Sequence, residues 1–166
     1  MTNLKIGDIA PNFSITDNAV ADTSVVAKDG SATTLSDFAG KYVVLYFYPK
    51  DDTPGCTVQA RGFNSLLKEF NDLGAEIIGI SKDDLKSHEK FTNKYDLQFP
   101  LVPDTDMEIC KKYGVWVEKS MFGKKYMGIN RESFLIDPEG KIVHIWPKVS
   151  VLKHAAEVLA KLKEFV

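Results

Sequence analysis

Lys41-Tyr42-Val43-Val44-Leu45-Tyr46-Phe47-Tyr48, running on into Pro49-Lys50-Asp51-Asp52-Thr53-Pro54-Gly55-Cys56-Thr57, is the stretch that decides the fold. Its first eight residues are almost continuously apolar or aromatic. A strand with one wet face would alternate, so residues 41–48 read as a central strand covered on both faces. Pro49 ends it. Thr53 is a favoured N-cap residue and Pro54 a favoured first helical residue, so a helix is expected to begin there. Phe63, Leu66, Leu67 and Phe70 form its apolar stripe, and Gly74 marks its end.

Outward from this unit, strand-like and helix-like segments alternate. Residues 75–80 read as a second buried strand and 84–95 as a helix carrying Leu85, Phe91 and Tyr95. Residues 100–103 read as an edge strand, because proline removes ladder donors. A short helix is expected over 105–113, and residues 133–137 and 141–146 flank Pro138-Glu139-Gly140 as a hairpin. The last helix, 151–165, turns Val151, Ala155, Val158, Leu159 and Leu162 inward. Before the central strand, residues 13–16 and 24–27 are β-prone and Asp29-Gly30 is a turn signal, so an N-terminal β-hairpin is expected. Trp116, Met121, Phe122 and Tyr126 fall in a stretch that reads as irregular. It suits a pocket wall, a docking patch or simple core cover. The whole predicts an α/β three-layer sandwich, with a central mixed β-sheet flanked by helices, and a single domain spanning residues 1–166.

The 166 residues are 44% hydrophobic and 27% charged with a net charge of -2, an ordinary balance for a globular chain. No basic stripe is present, which argues against nucleic acid and anionic membranes as partners. No apolar run reaches the ~18 residues of a membrane span. Residues 1–11 lack the basic-then-apolar build of a signal peptide, so a cytoplasmic location is expected. His88, His144 and His154 have no metal-ligand spacing and read as surface or lightly packed. Asp51-Asp52 reads as a pair serving solubility and helix-dipole balance rather than as a Mg²⁺ site. No Gly-rich phosphate loop follows a strand, and no Cys-x-x-Cys is present. No metal and no cofactor are expected.

Two cysteines, Cys56 and Cys110, are too few for a disulfide scaffold. Cys56 falls in the first turn of the expected helix, where unpaired backbone N–H groups and the positive end of the helix dipole favour an anion. A thiolate is the nucleophilic form of cysteine, and this is where one is favoured. Gly55, lacking a side chain, would let a small substrate approach the backbone donors. The competing reading is a cysteine that merely packs at a helix start.

Phe47-Tyr48-Pro49-Lys50-Asp51-Asp52-Thr53-Pro54-Gly55-Cys56-Thr57 resembles the signature of peroxiredoxins of the bacterioferritin comigratory protein type, also called peroxiredoxin Q. The likeness extends to Gly7-Asp8-Ile9-Ala10-Pro11-Asn12-Phe13, Phe99-Pro100-Leu101 and Arg131-Glu132-Ser133-Phe134-Leu135-Ile136-Asp137. It implies a thioredoxin-like fold and the reduction of hydrogen peroxide and organic hydroperoxides, with electrons from thioredoxin or another external thiol, in antioxidant defence. It implies that Cys56 is the peroxidatic cysteine, oxidised to a sulfenic acid. Thr53 would orient the peroxide, Pro49 would shield the sulfur, and Arg131 would stabilise the thiolate and the leaving oxygen. The backbone N–H of Cys56, beside Gly55, would bind the substrate oxygen.

The pattern departs where relatives carry a resolving cysteine. Arg61 stands at the position one helical turn beyond Cys56, and Thr92 at the alternative position in the following helix. Cys110 reads as buried, and a disulfide needs Cα atoms within about 7 Å. A one-cysteine cycle with an external resolver is expected, with Cys110 resolving Cys56 after local unfolding as the lesser alternative. The resemblance implies a monomer, with a weak homodimer as the alternative. Two other readings are a thiol–disulfide oxidoreductase acting through Cys56, and a redox sensor or binding protein switched by Cys56 oxidation without turnover.

Overall fold

The computed structural model describes residues 3–13 and 34–166. After a short 3-10 turn at Leu35–Phe38, the chain forms β1 (Tyr42–Phe47), α1 (Pro54–Asp72), β2 (Ala75–Ser81), α2 (Leu85–Tyr95) and β3 (Leu101–Pro103). It continues with α3 (Glu108–Lys112), β4 (Trp116–Met121), β5 (Lys124–Ile129), β6 (Glu132–Ile136), β7 (Ile142–Trp146) and α4 (His154–Lys163). Five strands make one sheet in the order β3-β2-β1-β6-β7. The pairs β1–β2 and β2–β3 are parallel, whereas β1–β6 and β6–β7 are antiparallel. The expected N-terminal β-hairpin lies almost entirely outside the described residues.

β1 is central because both of its faces are apolar. Val43, Leu45 and Phe47 enter one core with Phe38, Cys110, Tyr113 and Phe134. Val44, Tyr46 and Tyr48 enter the other with Cys56, Phe63, Phe70, Phe91, Leu159 and Leu162. Alternate strand residues point to opposite faces, so these are two cores on two sides of one sheet. One is covered by α1, α2 and α4, the other by α3, the 3-10 turn and residues 10–13. This is the thioredoxin-like three-layer arrangement. Gly79 on β2 helps to seat α1. A Cβ there would lie 2.9 Å from Tyr46 Cζ and from Leu101 Cδ2. The bare backbone lets the Tyr46 ring lie against it and stack on Phe63 of α1 at 4.8 Å.

Three sequence expectations need correction. The helix expected over 105–113 is only Glu108–Lys112, because Met107 takes a left-handed backbone (φ 59°) and the Asp104 carboxylate caps the N–H groups of Ile109 and Cys110 at 3.1 and 2.7 Å. The last helix begins at His154 rather than at residue 151, after a turn, and Val151 is half-buried ahead of it. Residues 116–129 are not irregular. They form an antiparallel hairpin, β4–β5, with Met121 opposite Lys124. Its two-residue turn, Phe122-Gly123, has φ of 52° and 79°, the positive pair that a type I′ turn requires. Trp116 packs on the core at the root of the hairpin, while Met121, Phe122 and Tyr126 are exposed. On α2, Leu85 is exposed while His88 and Phe91 are buried.

Candidate active site

The C-terminal ends of β1 and β2 and the start of β6 share one edge of the sheet, since β6 runs antiparallel to β1. That edge holds Pro49, half-buried directly after β1, the loop 50–53, the first turn of α1, and Arg131 leading into β6. Thr53 occupies the N-cap with extended backbone, and Pro54 is the first helical residue. The expected hydroxyl cap is not made. Thr53 Oγ1 instead donates to the Lys50 carbonyl at 2.9 Å, which leaves its lone pairs as acceptors at the helix mouth. The first helical bond runs from Thr57 N–H to the Thr53 carbonyl at 2.8 Å. The N–H groups of Gly55 and Cys56 precede it and belong to the unpaired donors of a helix start.

Cys56 is the third helical residue and is only 1% exposed. Arg131 aims Nη2 at its sulfur from 3.3 Å, and Nη1 donates to Gln59 Oε1 at 2.6 Å. The guanidinium thus bridges two residues three apart on one face of α1. Such a fork holds its charge in a fixed orientation, and an N–H aimed at sulfur stabilises negative charge there. A Cβ on Gly55 would stand 3.4 Å from Arg131 Nη2, in van der Waals contact with the guanidinium. Gln59, buried and with Nε2 unpartnered among the described residues, was not singled out from sequence. Its helical spacing from Cys56 was the available signal.

Beneath the site Tyr46 is held well above the ordinary tyrosine value, first by burial, then by the negative charges of Cys56 and Asp51. Burial also lowers Lys119 of β4, and the charge of Arg131 adds to this. Lys119 therefore stands within electrostatic reach of the same centre.

Asp51 and two histidines depart from expectation. Asp51 is buried, and its carboxylate accepts from Tyr48 Oη at 2.6 Å and Ser87 Oγ at 2.8 Å, with His88 Nδ1 at 2.7 Å. Asp52 remains exposed and pairs with Lys94 at 2.9 Å. His88 and His154 are fully buried, not surface residues. His154 Nε2 lies 2.7 Å from Ser133 Oγ, and burial, then Arg131, lowers this imidazole to about 4. Asp51, Asp83 and His88 bring ligand-type atoms within 4.8 Å of one another. Hydrogen bonds from Tyr48, Ser81, Ser87 and the Asp51 N–H already engage both carboxylates.

Cys110 is not brought to Cys56. It is fully buried in the core on the other face of the sheet, and burial, then Asp104, pushes its thiol far up. Arg61 is exposed on α1 with its guanidinium 5.9 Å over the Tyr95 ring, and Thr92 is half-buried on α2. A separate cavity of about 200 Å³, lined by Ala10, Leu35, Phe38, Val43 and Ile136 among others, lies at the opposite end of β1 and away from this chemistry. Among the described residues no helix is long and apolar enough to cross a membrane.

Residues 6–145 match the AhpC/TSA family. The chain is 44% identical to the peroxiredoxin Bcp of Escherichia coli over 164 residues, 99% of each protein. Among solved structures, a PrxQ cysteine-to-serine variant from Xylella fastidiosa superposes with a TM-score of 0.83 at 38% identity, covering 99% of both chains. The Xanthomonas campestris bacterioferritin comigratory protein, studied for its alkyl peroxide reduction activity, superposes with a TM-score of 0.79 at 49% identity, covering 82% of this chain and 86% of that one.

Proposed function

The chain belongs to the AhpC/TSA family, as a peroxiredoxin of the Bcp type and hence a thiol-dependent peroxidase, and from that premise we propose that Cys56 is its peroxidatic nucleophile and that an external thiol completes the cycle. The observation that carries this reading is the 3.3 Å contact from Arg131 Nη2 to Cys56 Sγ at the start of α1. The thiolate attacks one peroxide oxygen, the O–O bond breaks, and sulfur is oxidised to a sulfenic acid. The other oxygen takes a proton and leaves as water or an alcohol. Arg131 and the Cys56 N–H stabilise the charge that builds on the oxygens, and the Thr53 hydroxyl orients the incoming peroxide. Pro49 covers the sulfur without offering a competing N–H.

An external thiol then attacks the sulfenic sulfur, water leaves, and a second thiol displaces Cys56 from the mixed disulfide. Thioredoxin or a small thiol supplies these electrons, and hydrogen peroxide and organic hydroperoxides are the substrates. We further propose that residues 1–166 work as one domain, as a monomer in the cytoplasm. Turnover of peroxide with dithiothreitol by wild type, Cys56→Ser and Cys110→Ser tests the reading: only Cys56→Ser should be inactive.

A further inference from the structure

Two consecutive aspartates in the loop between β1 and α1 are both held by α2. The buried Asp51 carboxylate has Ser87 Oγ at 2.8 Å and His88 Nδ1 at 2.7 Å from α2, and Tyr48 Oη at 2.6 Å from the end of the strand. Its backbone N–H donates to Asp83 Oδ2 at 2.8 Å, and Asp83 in turn accepts from Ser81 Oγ at 2.7 Å. Asp52 has a left-handed backbone, φ 57°, and its carboxylate accepts from Lys94 Nζ at 2.9 Å and Tyr95 Oη at 3.0 Å. None of these partners is a residue of the reacting centre. They fix the segment that runs from Pro49 to Thr53.

Burying a carboxylate is costly unless several donors meet it, and apolar packing would stabilise the fold at least as well. A non-glycine residue at positive φ is likewise sustained only where its surroundings dictate it. Both features fall between the residue that shields Cys56 and the residue that orients its substrate. We propose that Asp51, held by Ser87 and His88, is a positioning residue for peroxide reduction, keeping the loop in the one shape that presents Pro49 and Thr53 to the Cys56 sulfur. This rests on the reading of Cys56 as the peroxidatic cysteine.

The test compares two reactions of the same sulfur in wild type, Asp51→Ala, Asp51→Asn, Ser87→Ala and Cys56→Ser. Sulfenic acid formation by hydrogen peroxide needs the loop geometry. Alkylation of Cys56 by iodoacetamide needs the thiolate but not the placement of Thr53. In Asp51→Ala, well below its melting temperature, the peroxide rate constant should fall at least tenfold while the alkylation rate is unchanged or higher. Asp51→Asn, which keeps an acceptor for Tyr48 and Ser87, should recover part of the loss. A peroxide rate within twofold of wild type, or a parallel fall in both rates, overturns the proposal. Should Asp51→Ala not fold, Ser87→Ala removes one donor, and there a peroxide rate equal to wild type overturns it. Failure of the Cys56 reading is seen separately, as peroxide consumption surviving in Cys56→Ser.

Discussion

Cys56 and Cys110 lie in separate cores on opposite faces of the central sheet, so their sulfurs are divided by the backbone of β1 and its neighbours. A disulfide between them would require the sheet to open, because bridged Cα atoms must come within about 7 Å. One equivalent of peroxide should therefore leave no intramolecular Cys56–Cys110 disulfide by mass spectrometry, and Cys110→Ala should keep most of the turnover. A high yield of that disulfide would contradict the one-cysteine cycle.

Arg131 is expected to matter through direction as well as charge, because it forks between the sulfur and Gln59. Losing a hydrogen bond to a charged group costs about 1.5–3 kcal/mol, or roughly 10- to 100-fold in rate. Arg131→Ala should slow sulfenic acid formation by that order. Arg131→Lys should restore only part, since an ammonium cannot reach both partners in one plane. Gln59→Met should give a smaller loss by freeing one arm of the fork. Stopped-flow rate constants in peroxide check all three, and full activity in Arg131→Ala would exclude the role assigned to it.

His154 makes stability depend on pH. Its imidazole is lowered to about 4 in the folded chain, against an ordinary value of about 6.5. Below the ordinary value the unfolded chain takes up a proton that the folded chain refuses, so stability falls as pH drops from about 6.5 to about 4 and this contribution then levels off. The loss from this one group is on the order of 3 kcal/mol. Urea unfolding of wild type and His154→Phe across that range should show the wild type losing more. Parallel curves would remove His154 as the cause.

Phe122 is 98% exposed and sits at positive φ in the turn of the β4–β5 hairpin. It buries nothing, and a bulky residue in that conformation costs about 1–2 kcal/mol. Phe122→Asn creates the Asn-Gly pair preferred in a type I′ turn and should raise stability by ~1 kcal/mol. A lower urea midpoint would show that the side chain makes a contact its exposure denies.

The order of the main strands and helices was legible because β1 is continuously apolar and its handover to α1 is signalled by adjacent residues, Pro49, Thr53 and Pro54. The same local signals located Cys56 at a helix start. Arg131 was legible only through resemblance: it lies 75 residues from Cys56 and reaches it because β6 returns antiparallel beside β1. The Asp51–His88 contact spans 37 residues and joins a loop to a helix, with no periodicity to announce it. The β4–β5 hairpin was hidden because much of it is exposed and lysine-rich, and Phe122 stands where Asn or Gly would have marked the turn.

The most direct test is the consumption of hydrogen peroxide by Cys56→Ser with dithiothreitol as reductant, measured beside wild type and Cys110→Ala. Turnover is expected in wild type and Cys110→Ala, and none above background in Cys56→Ser. Sustained turnover in Cys56→Ser would exclude Cys56 as the peroxidatic nucleophile.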